Sequence, residues 1–303
     1  MPFDSIFRPG LFAGQVHVVT GGGTGIGRCT AHELAALGAT VVIVGRRPDR
    51  LEAVRAEIAD AGGAARAVAC DIRDEAQVQA MVATVLGDLG RVDGLVNNAG
   101  GQFAAPLATI SQKGWETVVR TNLTGGFLVA REVYLRWMQD HGGAIVNVVA
   151  DNHGSMVGMG HSGAARAGMV SFTETAAVEW AASGVRVNAV APGWIDTSGF
   201  DTYPDWMQPF LKVLGRAVPL QRLGTESEVS AAIAFLLSPA AAFVSGSVLR
   251  VDGAAPNARL ASPMSALVEG AAEATHGGQL PWPLPAHERA PAWDGFHLAR
   301  RRS

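Results

Sequence analysis

Seven short runs in this chain are hydrophobic at nearly every position: Val16–Thr20, Val41–Val44, Ala67–Cys70, Gly94–Asn97, Ala144–Val149, Val185–Ala191 and Ser247–Val251. A strand with one wet face alternates apolar and polar residues. These runs do not alternate, so both faces must be covered. Between them, Gly27–Leu37, Arg50–Ala61, Glu75–Leu89, Lys113–Gln139, Gly163–Ala182 and Ser227–Leu237 carry helical periodicity. Strand and helix in regular alternation predict an α/β fold of the Rossmann type. The expected architecture is a doubly wound parallel sheet in a single domain spanning residues 11–253. Residues 254–303 are rich in Ala, Pro and Gly, with Trp282, Trp293 and Phe296 scattered among them. They read as a C-terminal extension, either laid over the domain or a subunit through those rings, or disordered.

The first strand runs straight into Thr20-Gly21-Gly22-Gly23-Thr24-Gly25-Ile26-Gly27 and then into a helix. Backbone N–H groups at a helix N-terminus bind phosphate, and glycines let the backbone approach it, so this turn is a dinucleotide site. Taken alone, a glycine loop is also an ordinary tight turn. After the second strand stand Gly45, Arg46 and Arg47. An acidic residue there would bind a ribose 2′-hydroxyl; two guanidiniums suit a 2′-phosphate, so NADP(H) is the expected cofactor.

A formal net charge of −3 with no internal basic tract argues against nucleic acid as partner. No apolar run reaches the ~18 residues of a membrane span. Met1–Gly14 lacks a signal-peptide layout, and two isolated cysteines fit a reducing compartment, so a cytoplasmic location is expected. Two cysteines, and eight histidines without HExxH spacing, build no zinc site, so no metal is expected.

Several further segments stand in a fixed order: Asp71-Ile72, Asn97-Asn98-Ala99-Gly100, Thr121-Asn122-Leu123, Arg186-Val187-Asn188-Ala189 and Val251-Asp252-Gly253. With the glycine turn, they resemble the short-chain dehydrogenase/reductase family over residues 11–253. The resemblance implies that Gly21, Thr24, Gly25, Ile26 and Gly27 cradle the pyrophosphate and that Asp71 and Ile72 meet the adenine. It implies further that Asn98, Ala99 and Gly100 flank the ribose, while Pro192, Gly193, Ile195 and Thr197 hold the nicotinamide carboxamide. Asn122 would sit beside the reacting centre, in a helix opened slightly to hold a water. A homotetramer or dimer is also implied, through Lys113–Gln139 and Gly163–Ala182.

The family's usual catalytic trio is Ser, then Tyr-x3-Lys. Here composition becomes decisive. Of 24 basic residues only Lys113 and Lys212 are lysine, and the only tyrosines are Tyr134 and Tyr203. None can fill the pattern. The Lys place holds Arg166, the Tyr place Ser162, and the Ser place Ala150. A serine hydroxyl is a far weaker acid than a phenol, and a guanidinium cannot relay a proton. Ser162 and Arg166 are spaced i, i+4, on one face of a helix.

The segment His161-Ser162-Gly163-Ala164-Ala165-Arg166, with Asn97–Phe103 and Phe235–Ala241, resembles the enoyl-thioester-reducing subgroup typified by peroxisomal trans-2-enoyl-CoA reductase. The resemblance implies NADPH-dependent reduction of a conjugated C=C bond in fatty acid metabolism, with an acyl thioester as substrate. Such a reaction requires no phenolic acid. Proton-donor candidates are His161, Ser162, Asp151 and His153, with Asn152 beside them; Ser162 equally suits an N-cap and His161 a helix start. Residues 196–223, with Phe200, Tyr203, Trp206, Met207, Phe210 and Leu214, read as an apolar substrate lid or as a helix covering the core. Lys212, Arg216 and Arg222 could meet CoA phosphates. Two alternatives stay open: a carbonyl or alcohol oxidoreductase using His161 or Asp151 as acid, and a catalytically silent NADP-binding protein.

Overall fold

The computed structural model describes residues 2–151, 155–198, 214–215, 218–257 and 292–296. Asn152, His153, Phe200, Tyr203, Trp206, Met207, Phe210, Lys212, Arg216 and Trp282 lie outside the described residues.

The elements follow in the anticipated alternation: β1 (Val16–Thr20), α1 (Gly25–Ala36), β2 (Thr40–Gly45), α2 (Pro48–Asp60), β3 (Ala64–Ala69), α3 (Glu75–Leu89) and β4 (Gly94–Asn97). A long helical run then comprises α4 (Gln112–Val119), α5 (Gly125–Val133) and α6 (Gln139–His141), joined by π turns at Arg120–Thr124 and Tyr134–Met138. β5 (Gly143–Val148), α7 (Gly160–Glu179), β6 (Val185–Pro192), β7 (Ile195–Asp196), β8 (Gly224–Thr225), α8 (Glu226–Leu237) and β9 (Val248–Val251) complete the order. The main sheet is parallel throughout, in the order β3-β2-β1-β4-β5-β6-β9, and β7 pairs with β8 beside it.

The continuous hydrophobicity of the strands has the expected cause. Along β2, Val41 and Ile43 join the core under α1 and α8, while Val42 and Val44 join the core under α3 and α5. Each such side chain contributes about 1.5–3 kcal/mol on burial, so a strand buried on both faces is anchored twice over. A polar thread also crosses this apolar interior. Asn97 Nδ2 donates to Asn147 Oδ1 at 2.9 Å, and Asn147 Nδ2 donates to Thr173 Oγ1 at 2.9 Å. The thread ties β4 and β5 to α7 and so fixes the helix that carries Ser162 and Arg166. Among the described residues no helix is long and apolar enough to cross a membrane.

Part of the C-terminal extension is laid over the domain. Trp293–Phe296 sits in a groove between α1 and α8, closed from the other side by the N-terminal arm. Thr225 Oγ1 donates to the Trp293 carbonyl, Gly295 N–H to Ser227 Oγ at 3.0 Å, and Asp4 N–H to the Gly295 carbonyl at 2.8 Å. Phe296 meets Phe3 edge to face at 4.9 Å between centroids, with the Arg28 guanidinium 5.1 Å over its ring. A Cβ on Gly295 would lie 2.3 Å from the Phe3 ring, so only glycine fits there.

Candidate active site

The C-terminal ends of the parallel strands open onto a cleft of about 520 Å³. Its floor begins at the glycine turn. Gly21 has φ +67°, and a Cβ on it would stand 2.8 Å from Asn98 Nδ2. A Cβ on Gly27 would lie 2.3 Å from the Gly21 carbonyl. Thr20 knits this turn to the end of β4, its Oγ1 accepting the Asn98 and Ala99 N–H groups at 3.0 Å each. The backbone is thus held where a pyrophosphate can reach the N-terminus of α1, and the cradle fits a dinucleotide.

Of the residues singled out in the sequence, Gly21, Thr24, Ile26, Arg46, Asp71, Ile72, Asn98, Ala99, Gly100, Arg166, Pro192, Gly193, Ile195 and Thr197 line this one cleft. Gly25 and Gly27 lie in the turn beneath it, inside α1. Arg47 stands apart: its guanidinium pairs with Asp49 at 3.2 Å on the surface, where it caps α2, and it is not part of the lining. Gly193 is required by close approach, because a Cβ there would meet Asp252 Cα at 2.8 Å.

Asn122 is buried in the first π turn, where the extra residue swings its side chain toward the β4 loop. Its Oδ1 accepts from Gly101 N–H and its Nδ2 donates to the Gly101 carbonyl, both at 2.9 Å. The opened helix suggested by family resemblance is therefore present at Arg120–Thr124. α7 begins at Gly160, three residues earlier than periodicity alone indicates, because Gly160 to Ser162 carry no apolar repeat.

That early start turns the pair Ser162 and Arg166 toward the cleft side. Ser162 Oγ donates to Gln102 Oε1 at 2.8 Å, and Gln102 lines the cleft. Arg166 Nη1 donates to the Val148 carbonyl, and its Nε has no partner among the described residues. Burial lowers the Arg166 pKa to about 10, so the guanidinium stays charged at neutral pH. Gly100 gives it room, since a Cβ there would fall 2.5 Å from Arg166 Nη2 and 3.1 Å from Asn122 Oδ1.

His161 takes a different place from the one a proton donor needs. It is fully buried, edge-on to Phe103 at 4.3 Å, and outside the cleft lining. Its Nδ1 accepts the N–H of Ser162 at 2.8 Å, and Nε2 has no partner among the described residues. Asp151 sits at the end of β5, its N–H donating to the Pro192 carbonyl at 3.1 Å, and it too is outside the lining.

Among the lining residues to which sequence reasoning gave no role of their own are Gln102 and Arg73. Gln102 follows directly on the Asn-Asn-Ala-Gly-Gly segment, so its position was the available signal. Of the expected lid, Leu214 is buried and Arg222 forms a two-pronged pair with Glu228 at 2.6 and 2.9 Å.

Known proteins share much of this sequence and fold. A family model described as enoyl-(acyl carrier protein) reductase matches residues 21–254. A peroxisomal 2,4-dienoyl-CoA reductase of the (3E)-enoyl-CoA-producing type, from Danio rerio, is 37% identical over 257 residues, which are 84% of this chain and 85% of that protein. A probable 2,4-dienoyl-CoA reductase of Bacillus subtilis is 35% identical over 240 residues, 78% of this chain and 94% of that one. Among solved structures, a citronellol catabolism dehydrogenase of Pseudomonas aeruginosa PAO1 is 61% identical with a TM-score of 0.76; the match covers 84% of this chain and 100% of that chain.

Proposed function

The chain belongs to the short-chain dehydrogenase/reductase family, and from that premise we propose that it reduces a C=C bond conjugated to a thioester, with NADPH as hydride source. The observation that carries this reading is the bond from Ser162 Oγ to Gln102 Oε1. Where the family holds a phenolic acid, this chain holds a serine whose hydroxyl is bonded to a neutral amide.

When bound, the dinucleotide would supply a hydride to the β carbon. Negative charge then gathers on the thioester oxygen, and what the protein must offer is hydrogen-bond donors for it. Ser162 fixes the Gln102 side chain at the cleft wall, and a substrate oxygen bound there would meet that amide. The α carbon, once carbanionic, takes its proton from water entering the cleft, so no side chain of phenol-like acidity is needed. Arg166 keeps a fixed positive charge where ribose hydroxyls would lie, and Asn122 holds the Gly101 backbone in register with it.

Gly45 followed by Arg46 at the cleft supports NADPH over NADH. The dienoyl-CoA reductases support a thioester substrate, and the citronellol catabolism dehydrogenase supports a branched, acyclic acyl chain. The word dehydrogenase on that 61% identical neighbour keeps a second reading in view, alcohol or carbonyl oxidoreduction. Trp115, Phe127, Leu135 and Val178, exposed on the α4–α6 run and α7, support a homo-oligomer.

The test is NADPH oxidation with trans-2-enoyl-CoA and 2,4-dienoyl-CoA substrates, straight and branched, beside a panel of ketones and alcohols. Turnover on the unsaturated thioesters is expected. Silence on all of them together with turnover on the carbonyl panel overturns the proposal in favour of the second reading.

A further inference from the structure

At the ends of β2 and β3 the cleft wall carries three charged side chains, Arg46, Asp71 and Arg73. Two are locked together. Arg73 Nε donates to Asp71 Oδ1 at 2.9 Å and to Oδ2 at 3.1 Å, Nη2 donates to Oδ2 at 2.5 Å, and the Arg73 N–H adds a fourth bond to Oδ1 at 3.1 Å. The pair is braced from behind. Asp71 N–H donates to Gln77 Oε1 at 2.9 Å, and the Arg73 carbonyl accepts from Arg120 Nη2 at 3.2 Å. Side-chain exposures of 29% for Arg73 and 24% for Asp71 leave both groups within reach of a ligand while mostly removed from solvent.

Position along the sheet says what this wall faces. The pyrophosphate cradle stands at the end of β1, and β2 is next in the order, so the adenosine ribose falls at Gly45 and Arg46 with the base beyond it at β3. A 2′-phosphate placed there is drawn to Arg46 and repelled by any uncompensated carboxylate beside it. Asp71 is that carboxylate, close enough to Arg46 for the guanidinium charge to act on it. A further guanidinium, Arg47, pairs with Asp49 at the surface.

We propose that Arg73 is a positioning residue for dinucleotide selection: its fork cancels the charge of Asp71, leaving this end of the cleft net positive and open to a 2′-phosphate. Arg46 makes the direct contact, and Arg73 acts through Asp71. The inference rests on the NADPH reading above, but its sign pattern can be tested apart from it.

The experiment is direct binding of NADPH and NADH, by fluorescence titration at low salt, to the wild type, Arg73→Met, Arg73→Lys, Asp71→Asn and the Arg73→Met/Asp71→Asn double variant. The quantity read is the ratio Kd(NADH)/Kd(NADPH), from which shared losses at the base or pyrophosphate cancel. Arg73→Met is expected to lower the ratio about three- to tenfold, the effect of one partly screened charge at several ångströms. Asp71→Asn is expected to raise it by a similar factor, and the double variant to return within about twofold of wild type. Arg73→Lys should hold the wild-type ratio, and all shifts should shrink as salt rises. A purely structural role would raise both dissociation constants together and leave the ratio flat, which overturns the proposal, as does a ratio lowered by Asp71→Asn. A wild type that prefers NADH would remove the NADPH reading alone. Opposite shifts in the two single variants would then still support the charge pairing, and unchanged ratios would still sink it.

Discussion

The groove under the C-terminal residues and the cleft at the strand ends treat their buried polar side chains oppositely. In the groove between α1 and α8 the chain satisfies its own groups. Glu33, fully buried, accepts from Ser5 Oγ at 3.0 Å and from Ser230 Oγ; Ser227 Oγ receives Gly295 N–H; Cys29 lies 3.5 Å from Ser227 and Ser230. Burial pushes the Cys29 thiol up to about 12, too high for it to serve as a nucleophile at neutral pH. In the cleft the opposite holds, since Arg166 Nε has no partner among the described residues. An unpaired buried polar atom costs about 1–3 kcal/mol, a cost that a bound ligand pairing it would relieve. The groove is built for stability and the cleft at the expense of it.

Variants should separate these two regions, because changes in the cleft cost activity and changes in the groove cost stability. The largest effect is expected in the cleft. Gln102→Ala removes the amide that Ser162 fixes at the cleft wall and should lower kcat about 10²–10³-fold while the melting temperature stays within a few degrees. A variant that melted early and kept its rate would abolish the contrast.

The groove responds to pH through Glu33, whose carboxyl is pushed up to about 7 by burial, against which Ser230 and Ser5 pull only partly back. The native state holds that proton more tightly than the unfolded chain. The resulting stabilisation is complete below about 4.5, the ordinary value of the group, and fades as pH rises through 7. It amounts to about 3 kcal/mol at most. Glu33→Gln should therefore flatten the decline in melting temperature between pH 5 and pH 8, with kcat unchanged. An equally steep decline in the variant would locate the titration elsewhere.

The smallest effect is at the edge of the same groove. Phe296→Ala empties the slot lined by Phe3, His32 and Arg28 and should cost about 2 kcal/mol in denaturant unfolding. If it altered KM for the thioester instead, the C-terminal residues would belong with the cleft.

The contrast also explains what the sequence made legible. Strands buried on both faces announce themselves, so β1 and β4 lie where the apolar runs put them, and α3 spans the anticipated Glu75–Leu89. The cofactor cradle was equally visible, because a glycine turn between strand and helix has a local cause. The run Lys113–Gln139 was visible as helix but not as a helix broken twice, since one extra residue in a turn barely disturbs a 3.6-residue repeat. Gln102 and Arg73 were invisible for another reason. Each acquires its meaning from a single partner, Ser162 sixty residues away in one case and Asp71 at the cleft wall in the other. His161 was attractive as an imidazole near the reacting segment, yet its ring faces Phe103, a contact that no spacing encodes.

One consequence of the π turn reaches beyond catalysis. Through its paired bonds to Gly101, Asn122 rivets the loop carrying Gln102 to the helix behind it. That wall behaves as a die rather than a jaw. A substrate has to match it as cast, and selection at that wall works by shape at the moment of entry. Deleting a single residue from Arg120–Thr124 would turn the rivet away and loosen the whole template at once.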